Sequence, residues 1–291
     1  MSDALAVAGA SVRSLYDETR ATLVHAGVER PADEARDIIA AMLEVPRFWP
    51  VTNADRPVGA ATVDAVRHAA HERTRGAPFA YAVGRAAFRS YTLRVDHRVL
   101  IPRQETEELV DAVLALDLEG TAIDVGTGSG AIAIALAAEG RFSRVIATDV
   151  SHDALLVAQD NVARCTSLLR APVELRQGAA LAPVTGTGAS LLVSNPPYIA
   201  TPEGRDLPPS VRDWEPPLAL YSGVDGMPVT RAIISGARDV LTSGGVLALE
   251  VDCRRATLVS GIIEAEGSFT DITIKLDLSG RARFVLARLQ G

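Results

Sequence analysis

The chain has 291 residues, 48% of them apolar, which gives a sizeable core and, at roughly 100–200 residues per domain, room for two domains. Its formal charge is −7, with 36 acids against 29 bases, so the composition supplies no general basic field for gripping nucleic acid. Cys165 and Cys253 lack CxxC spacing, no apolar run approaches the roughly 18 residues of a membrane span, and the N-terminus is acidic where a signal peptide is basic, which argues against a disulfide framework, a zinc site, a membrane segment and export.

The chain opens with helical periodicity. Ser11 to Gly27 carries apolar residues at Val12, Leu15, Leu23 and Val24, with Gly27 placed to end the helix. Pro31 and Asp33 open a second helix over Ala35–Leu43, where Ile38, Ile39, Met42 and Leu43 share a face. A third, Ala60–Arg73, groups Val63, Val66 and Ala70. Residues 1–78 therefore read as a small helical bundle, a substrate-recognition module rather than a catalytic core. The period then changes. Phe79–Val83 and Tyr91–Val95 read as two strands joined by Gly84–Arg89, making residues 79–100 a β-hairpin connector.

Across residues 101–291 strands and helices alternate, which predicts an α/β domain with a largely parallel sheet. Helix 105–117 leads to strand Ala122–Val125, and helix 130–139 to strand Val145–Thr148. Helix 152–165 precedes strands Val173–Arg176 and Leu191–Val193. After a proline-rich stretch come helix 229–241, strand Val246–Val251 and helix 256–265. The final runs, Phe269–Leu276 and Arg283–Leu289, read as an antiparallel hairpin on the sheet edge. Residues 199–227 have no clear period, and an aperiodic segment of that length within a compact domain suggests a substrate-side lid.

Ala122-Ile-Asp-Val-Gly-Thr-Gly-Ser-Gly130 is a strand running into a glycine-rich turn and a helix. Gly126, Gly128 and Gly130 let the backbone turn sharply and approach a ligand, with Thr127 between them. The third glycine comes one residue too early for a dinucleotide fingerprint, and the Gly-Lys-Ser/Thr of a phosphate loop is absent. Asp124 would repel phosphate and suits a cationic amino-acid ligand. Asp149, 25 residues further on at the end of the next strand and followed by Val150, is placed to accept from a ribose diol. The set fits S-adenosyl-L-methionine, leaving S-adenosyl-L-homocysteine as product, and calls for no metal.

Leu191-Leu-Val-Ser-Asn-Pro-Pro-Tyr198 is the most specific signal. Pro196 and Pro197 fix the backbone and donate no N–H. The Asn195 side-chain oxygen and the Pro196 carbonyl can then both accept from one NH2 group, while Tyr198 offers a flat surface against it. Such a pair grips a planar amide or exocyclic amine and aims its nitrogen at a sulfonium methyl. The work is positioning, because the methyl donor carries its own leaving group.

Two acceptors fit this loop, an adenine N6 and a protein glutamine. Ile101-Pro-Arg-Gln-Glu-Thr-Glu-Glu-Leu109, Asp124–Gly130, Ser194–Tyr198, Val211-Arg-Asp-Trp-Glu-Pro216 and Leu220…Gly223…Asp225-Gly226 fall in one order that resembles the PrmC/HemK family of release factor glutamine methyltransferases. The resemblance implies a Rossmann-like class I methyltransferase domain with a seven-stranded, mostly parallel sheet behind a small N-terminal helical bundle. It implies cytoplasmic N5-methylation of the glutamine in the Gly-Gly-Gln motif of class 1 peptide chain release factors, with the helical module engaging the release factor. Carried over, Asn195 and Pro196 would bind the glutamine amide, and Gly126, Gly128 and Asp149 the cofactor. Pro102–Glu107 would border both, with Arg103 and Glu107 on the substrate side, although a plain helix-start ion pair between those two would explain them equally well.

Two positions depart from the family. Gly178 is followed by Ala179 where the family has an acid that contacts adenine, and Val251-Asp-Cys-Arg-Arg255 replaces a segment with a glycine and a later glutamine. An adenine-N6 methyltransferase explains Asn195–Tyr198 equally well but predicts a basic face, against the acidic composition. A silent cofactor-binding scaffold would accommodate Ala179 but not an intact acceptor loop. The near-exclusive use of arginine, Lys275 being the single lysine, together with the alanine content, points to a GC-rich bacterial genome.

Overall fold

A computed structural model describes residues 10–291, which divide into two compact units at Gly84/Arg85. Residues 1–9, part of the stretch read against a signal peptide, lie outside the described residues.

The first unit is helical: α1 (Val12–His25), α2 (Pro31–Leu43), α3 (Trp49–Thr52), α4 (Ala60–Thr74) and α5 (Phe79–Val83). Ser11 caps α1 in a reciprocal box with Ser14, satisfying N–H groups that the first turn leaves unpaired. α1 buries Val12, Leu15, Thr19 and Leu23, whereas Val24, expected on that face, is 52% exposed. Pro31 starts α2, which ends at Glu44 in the left-handed region. Ile38 and Ile39 pack with Val63, Val66, Ala82 and Val83 in one core. Arg73 grips Glu34 through two hydrogen bonds, at 2.6 and 2.8 Å, tying α4 to α2.

Phe79–Val83 is a helix, not the strand expected from its aromatic and branched residues. Pro78 precedes it and Gly84, at φ 68°, terminates it. Apolar residues at 79, 82 and 83 meet the i, i+3, i+4 spacing, and tertiary packing decides between two weak local preferences. The hairpin lies one step later, as β1 (Arg85–Phe88) and β2 (Tyr91–Arg94), and belongs to the second unit rather than to a connector.

The second unit continues with α6 (Gln104–Leu114), β3 (Glu119–Val125), α7 (Ala131–Glu139), β4 (Arg141–Asp149), α8 (His152–Cys165), β5 (Val173–Gln177) and β6 (Ala189–Ser194). Then come α9 (Pro209–Arg212), α10 (Pro217–Leu220), α11 (Pro228–Ala237), β7 (Leu241–Glu250), α12 (Ala256–Ala265), β8 (Phe269–Leu276) and β9 (Ala282–Leu289). Seven strands order as β5-β4-β3-β6-β7-β9-β8, parallel through β7 and antiparallel in the last two. Sheet residues alternate sides, so Ala122, Val145 and Val193 face α6 and α7 while Ile123, Ile146 and Leu192 face α11 and α12. Helices on both faces explain why the central strands are apolar throughout. α7 is buried from Ala131 to Ala138 on every side, which accounts for its lack of a polar face.

Candidate active site

The strand order reverses between β3 and β6, and the carboxyl ends of β3, β4, β6 and β7 open there into one cluster of loops. After β3, Gly126, Gly128 and Gly130 all take positive φ (73°, 54° and 83°), a region that side chains resist. A Cβ at Gly126 or Gly128 would meet nothing within 4 Å, so the backbone there borders open space. At Gly130 it would stand 3.4 Å from the Ala158 Cβ, so this glycine serves the packing of α7 against α8. Asn161 on α8 is fully buried and donates to the carbonyls of Ser129 (2.8 Å) and Arg94 (2.9 Å), holding the loop to β2. Sequence reasoning missed it. Its signal was a lone amide on the face formed by Ala154, Val157 and Ala158.

Asp124 lies fully buried beneath this loop. Its Oδ2 accepts from the Thr127 hydroxyl (2.6 Å) and the Ala133 N–H (3.2 Å), so both Asp124 and Thr127 shape the loop from below instead of lining it. Asp124 Oδ1 has no hydrogen-bond partner. Burial pushes this carboxyl up to about 7. Asp149, at the end of β4, accepts from the backbone N–H of Gly128 through Oδ2 (2.9 Å) and of Ser151 through Oδ1 (2.9 Å). Its pKa is also raised by burial. Val150 is exposed, and its carbonyl accepts from Gln177 Nε2 at 3.3 Å. Gly178 N–H bonds the Asp149 carbonyl, and Ala179 is exposed beside it. Open space over two glycines, an orphaned buried acceptor and a carboxylate with spare lone pairs at the neighbouring strand end fit a ligand with a cationic amino-acid end and a sugar diol.

Across the switch point, Ser194 is buried and donates to the Val125 carbonyl (2.7 Å), fastening the end of β6 to β3. Asn195 follows. Its Nδ2 donates to Thr106 Oγ1 at 3.0 Å, and Thr106 in turn donates to Glu250 Oε2 at 2.7 Å. Asn195, Pro196 and Tyr198 line a cavity of about 350 Å3 together with Leu100, Arg103 and Arg254. Pro197 lies between them, half-buried. Tyr198 is half-buried, and burial together with the nearby Glu250 raises its hydroxyl pKa.

Arg103 pairs with Glu215, not with Glu107. Glu215 is 2% exposed and also accepts from the Ile101 N–H at 3.2 Å. A buried carboxylate needs these partners, and Glu215 satisfies that need across 112 residues of chain. Glu107 is half-buried on α6 and is not among the cavity-lining residues. The site thus brings together Asp149, Gly126 and Gly128 on one side and Asn195, Pro196, Tyr198 and Arg103 on the other, and leaves Glu107 aside.

The segment expected to be an aperiodic lid is folded. It holds a 3-10 turn (Thr201–Asp206), α9, α10 and a bridge between Ile199 and Tyr221. Arg255 donates to Asp252 Oδ2 (2.8 Å), Glu203 Oε1 (2.9 Å) and the Asp225 carbonyl (3.0 Å). The departure at Val251–Arg255 is therefore an ion-pair knot joining the end of β7 to this segment at the cavity rim.

Among the described residues no helix is long and apolar enough to cross a membrane. Two family descriptions match the chain, the PrmC N-terminal domain over residues 14–84 and the methyltransferase small domain over residues 104–206. A release factor glutamine methyltransferase of Moorella thermoacetica is 39% identical over 95% of this chain and 98% of its own. Those of Cereibacter sphaeroides (37%, over 92% and 94%) and Mycolicibacterium smegmatis (38%, over 95% and 97%) are similar along nearly the whole length. Among solved structures, the hMettl16 catalytic domain superposes at a TM-score of 0.51 with 16% identity, over 79% of this chain and 82% of that one. A methyltransferase from Pyrococcus furiosus superposes at 0.50 with 18% identity, over 68% and 88%, a likeness of fold.

Proposed function

The chain belongs to the release factor glutamine methyltransferase family, and from that premise we propose that it methylates the side-chain amide nitrogen (N5) of the glutamine in the Gly-Gly-Gln motif of class 1 peptide chain release factors. The carrying observation is that the similarity to release factor glutamine methyltransferases runs through both units, the helical one included.

S-adenosylmethionine supplies a sulfonium methyl with its own leaving group. The chain's residues do the rest by position. Asp149, which already anchors the Gly128 N–H, would accept from the ribose diol, and the open backbone at Gly126 and Gly128 would border the methionine end. Asn195, with its Nδ2 engaged by Thr106, keeps Oδ1 as an acceptor. Together with the Pro196 carbonyl it holds the two N–H bonds of the glutamine amide. An amide nitrogen is a poor nucleophile because its lone pair is delocalised, and two acceptors on its N–H groups raise its electron density and fix its plane. The nitrogen gains the methyl and loses one proton to water. The helical unit, which exposes Phe48 (61%) and Val51 (65%), engages the body of the release factor.

The test is transfer of labelled methyl to a purified class 1 release factor beside duplex DNA, with Asn195→Ala as control. Label on the Gly-Gly-Gln glutamine, lost in the variant, is expected. Label on the DNA, or on neither, overturns the reading.

A further inference from the structure

Glu250 ends β7 at 1% exposure. Around it stand Arg283 on β9, Arg103 and Glu105 at the start of α6, and Tyr198 after β6. Its one hydrogen-bonded side-chain partner is Thr106, itself 5% exposed, whose oxygen also accepts from Asn195 Nδ2. The hydroxyl of Thr106 has a single proton to give. An ionised Glu250 can only accept, so it commits that proton to itself and leaves Thr106 presenting lone pairs to Asn195. The Asn195 amide must then turn its NH2 toward Thr106 and its Oδ1 away, where no described residue hydrogen-bonds it. A protonated Glu250 can donate to Thr106 instead. Thr106 is then free to donate to Asn195, and the amide is satisfied in the opposite orientation, with NH2 facing an acceptor that itself offers N–H.

We propose that Glu250 is a positioning residue for methyl transfer: acting through Thr106, its carboxylate sets which way the Asn195 amide faces and so presents Oδ1 to the acceptor's N–H. The inference rests on the reading of Asn195 as the acceptor-binding residue. Burial outweighs the two arginines and pushes the Glu250 carboxyl up to about 7, so both states of the relay are reached near neutrality. Residues 106, 195 and 250 come from three elements with no local reason to meet, and bonds of 2.7 and 3.0 Å join them in one line through the buried Thr106 hydroxyl.

The experiment uses the full chain with Thr106→Ser, Thr106→Val and Glu250→Gln. Thr106→Val keeps the shape and removes the hydroxyl, so kcat on a release factor falls about 100-fold while cofactor affinity stays within about threefold. Thr106→Ser restores most of the activity. Glu250→Gln, which cannot ionise and can donate to Thr106, holds kcat/KM near the wild type's low-pH level throughout and so loses the fall expected of the wild type as pH drops through about 7. The side-chain NH2 resonances of 15N-labelled Asn195, read in the wild type and in Glu250→Gln, report the relay without any acceptor. They titrate near 7 in the former and are flat in the latter. An unchanged Thr106→Val kcat, or an Asn195 signal that titrates identically in both proteins, overturns the proposal. Wild-type protein inactive on release factors sinks the functional reading, and the Asn195 titration still decides the relay.

Discussion

The Asp149 carboxylate accepts the backbone N–H of Gly128 at 2.9 Å, so the acid that ends β4 and the loop that follows β3 form one rigid element. On the proposed reading, the lone pairs those bonds leave free accept from the ribose diol of the cofactor. Asp149→Ala removes both functions. Hydrogen bonds to a charged group are worth about 1.5–3 kcal/mol, so S-adenosylmethionine affinity should weaken roughly 10- to 100-fold by calorimetry. Unaltered affinity would show that the diol is held elsewhere.

Asp124 gives a pH dependence whose sign is fixed by its burial. Its folded-state carboxyl sits at about 7 against an ordinary 3.8, so the folded chain holds this proton more tightly than the unfolded chain. The resulting stability is present below about 4, is lost as pH rises toward 7, and costs on the order of 4 kcal/mol above that. Asp124→Asn removes the ionisation. The cofactor-free variant should therefore melt higher than wild type at pH 8 by a wider margin than at pH 5. Equal margins at the two pH values would contradict it. Cofactor affinity moves the other way, because the variant loses a negative charge beneath a cationic ligand.

The placement of the glycine turn and of Asn195–Tyr198 at strand ends was legible because each is a contiguous motif set by local backbone geometry, and that of Asp149 because it closes the next strand. What could not be read is who stands opposite. Thr106 meets Glu250 across 144 residues and Arg103 meets Glu215 across 112, distances set by strand order and by the path of residues 199–227. An Arg103–Glu107 pair was the natural local expectation for one helix start, but a buried carboxylate elsewhere has the stronger claim on the guanidinium. Phe79–Val83 failed for another reason: five residues carry too little periodicity to separate strand from helix, and Pro78 and Gly84 at its ends decided it.

Gly226 holds the acceptor loop by its lack of a side chain. At φ 77°, a Cβ there would lie 2.4 Å from the Tyr198 carbonyl and 3.2 Å from the Ala200 nitrogen. Gly226→Ala should cost about 3 kcal/mol from overpacking and left-handed strain together, and should displace Tyr198. Gly280→Ala is the control, since it shares the positive φ (78°) but meets nothing within 4 Å. Denaturant melts of the two variants should differ by about 2 kcal/mol. A Gly226→Ala protein as stable as Gly280→Ala would mean that the loop yields without resistance.

Arg255 is the residue on which the cavity rim turns. At 14% side-chain exposure it bonds Asp252, Glu203 and the Asp225 carbonyl at once from three separate nitrogens, a fixed planar spread of donors that a lysine ammonium, with its three donors on one atom, does not reproduce. Arg255→Lys keeps the charge and loses the geometry. Asp252 retains Arg254, so the carboxylate is not stranded and the fold should survive. The segment from Ile199 to Tyr221, released from β7, should become a site of limited proteolysis. If that segment borders the protein acceptor, KM for a release factor should rise about tenfold, equivalent to one charge-assisted hydrogen bond, while cofactor affinity stays unchanged. Increased proteolysis with an unchanged KM would separate the two ideas: the knot would hold the segment, and the segment would not hold the substrate.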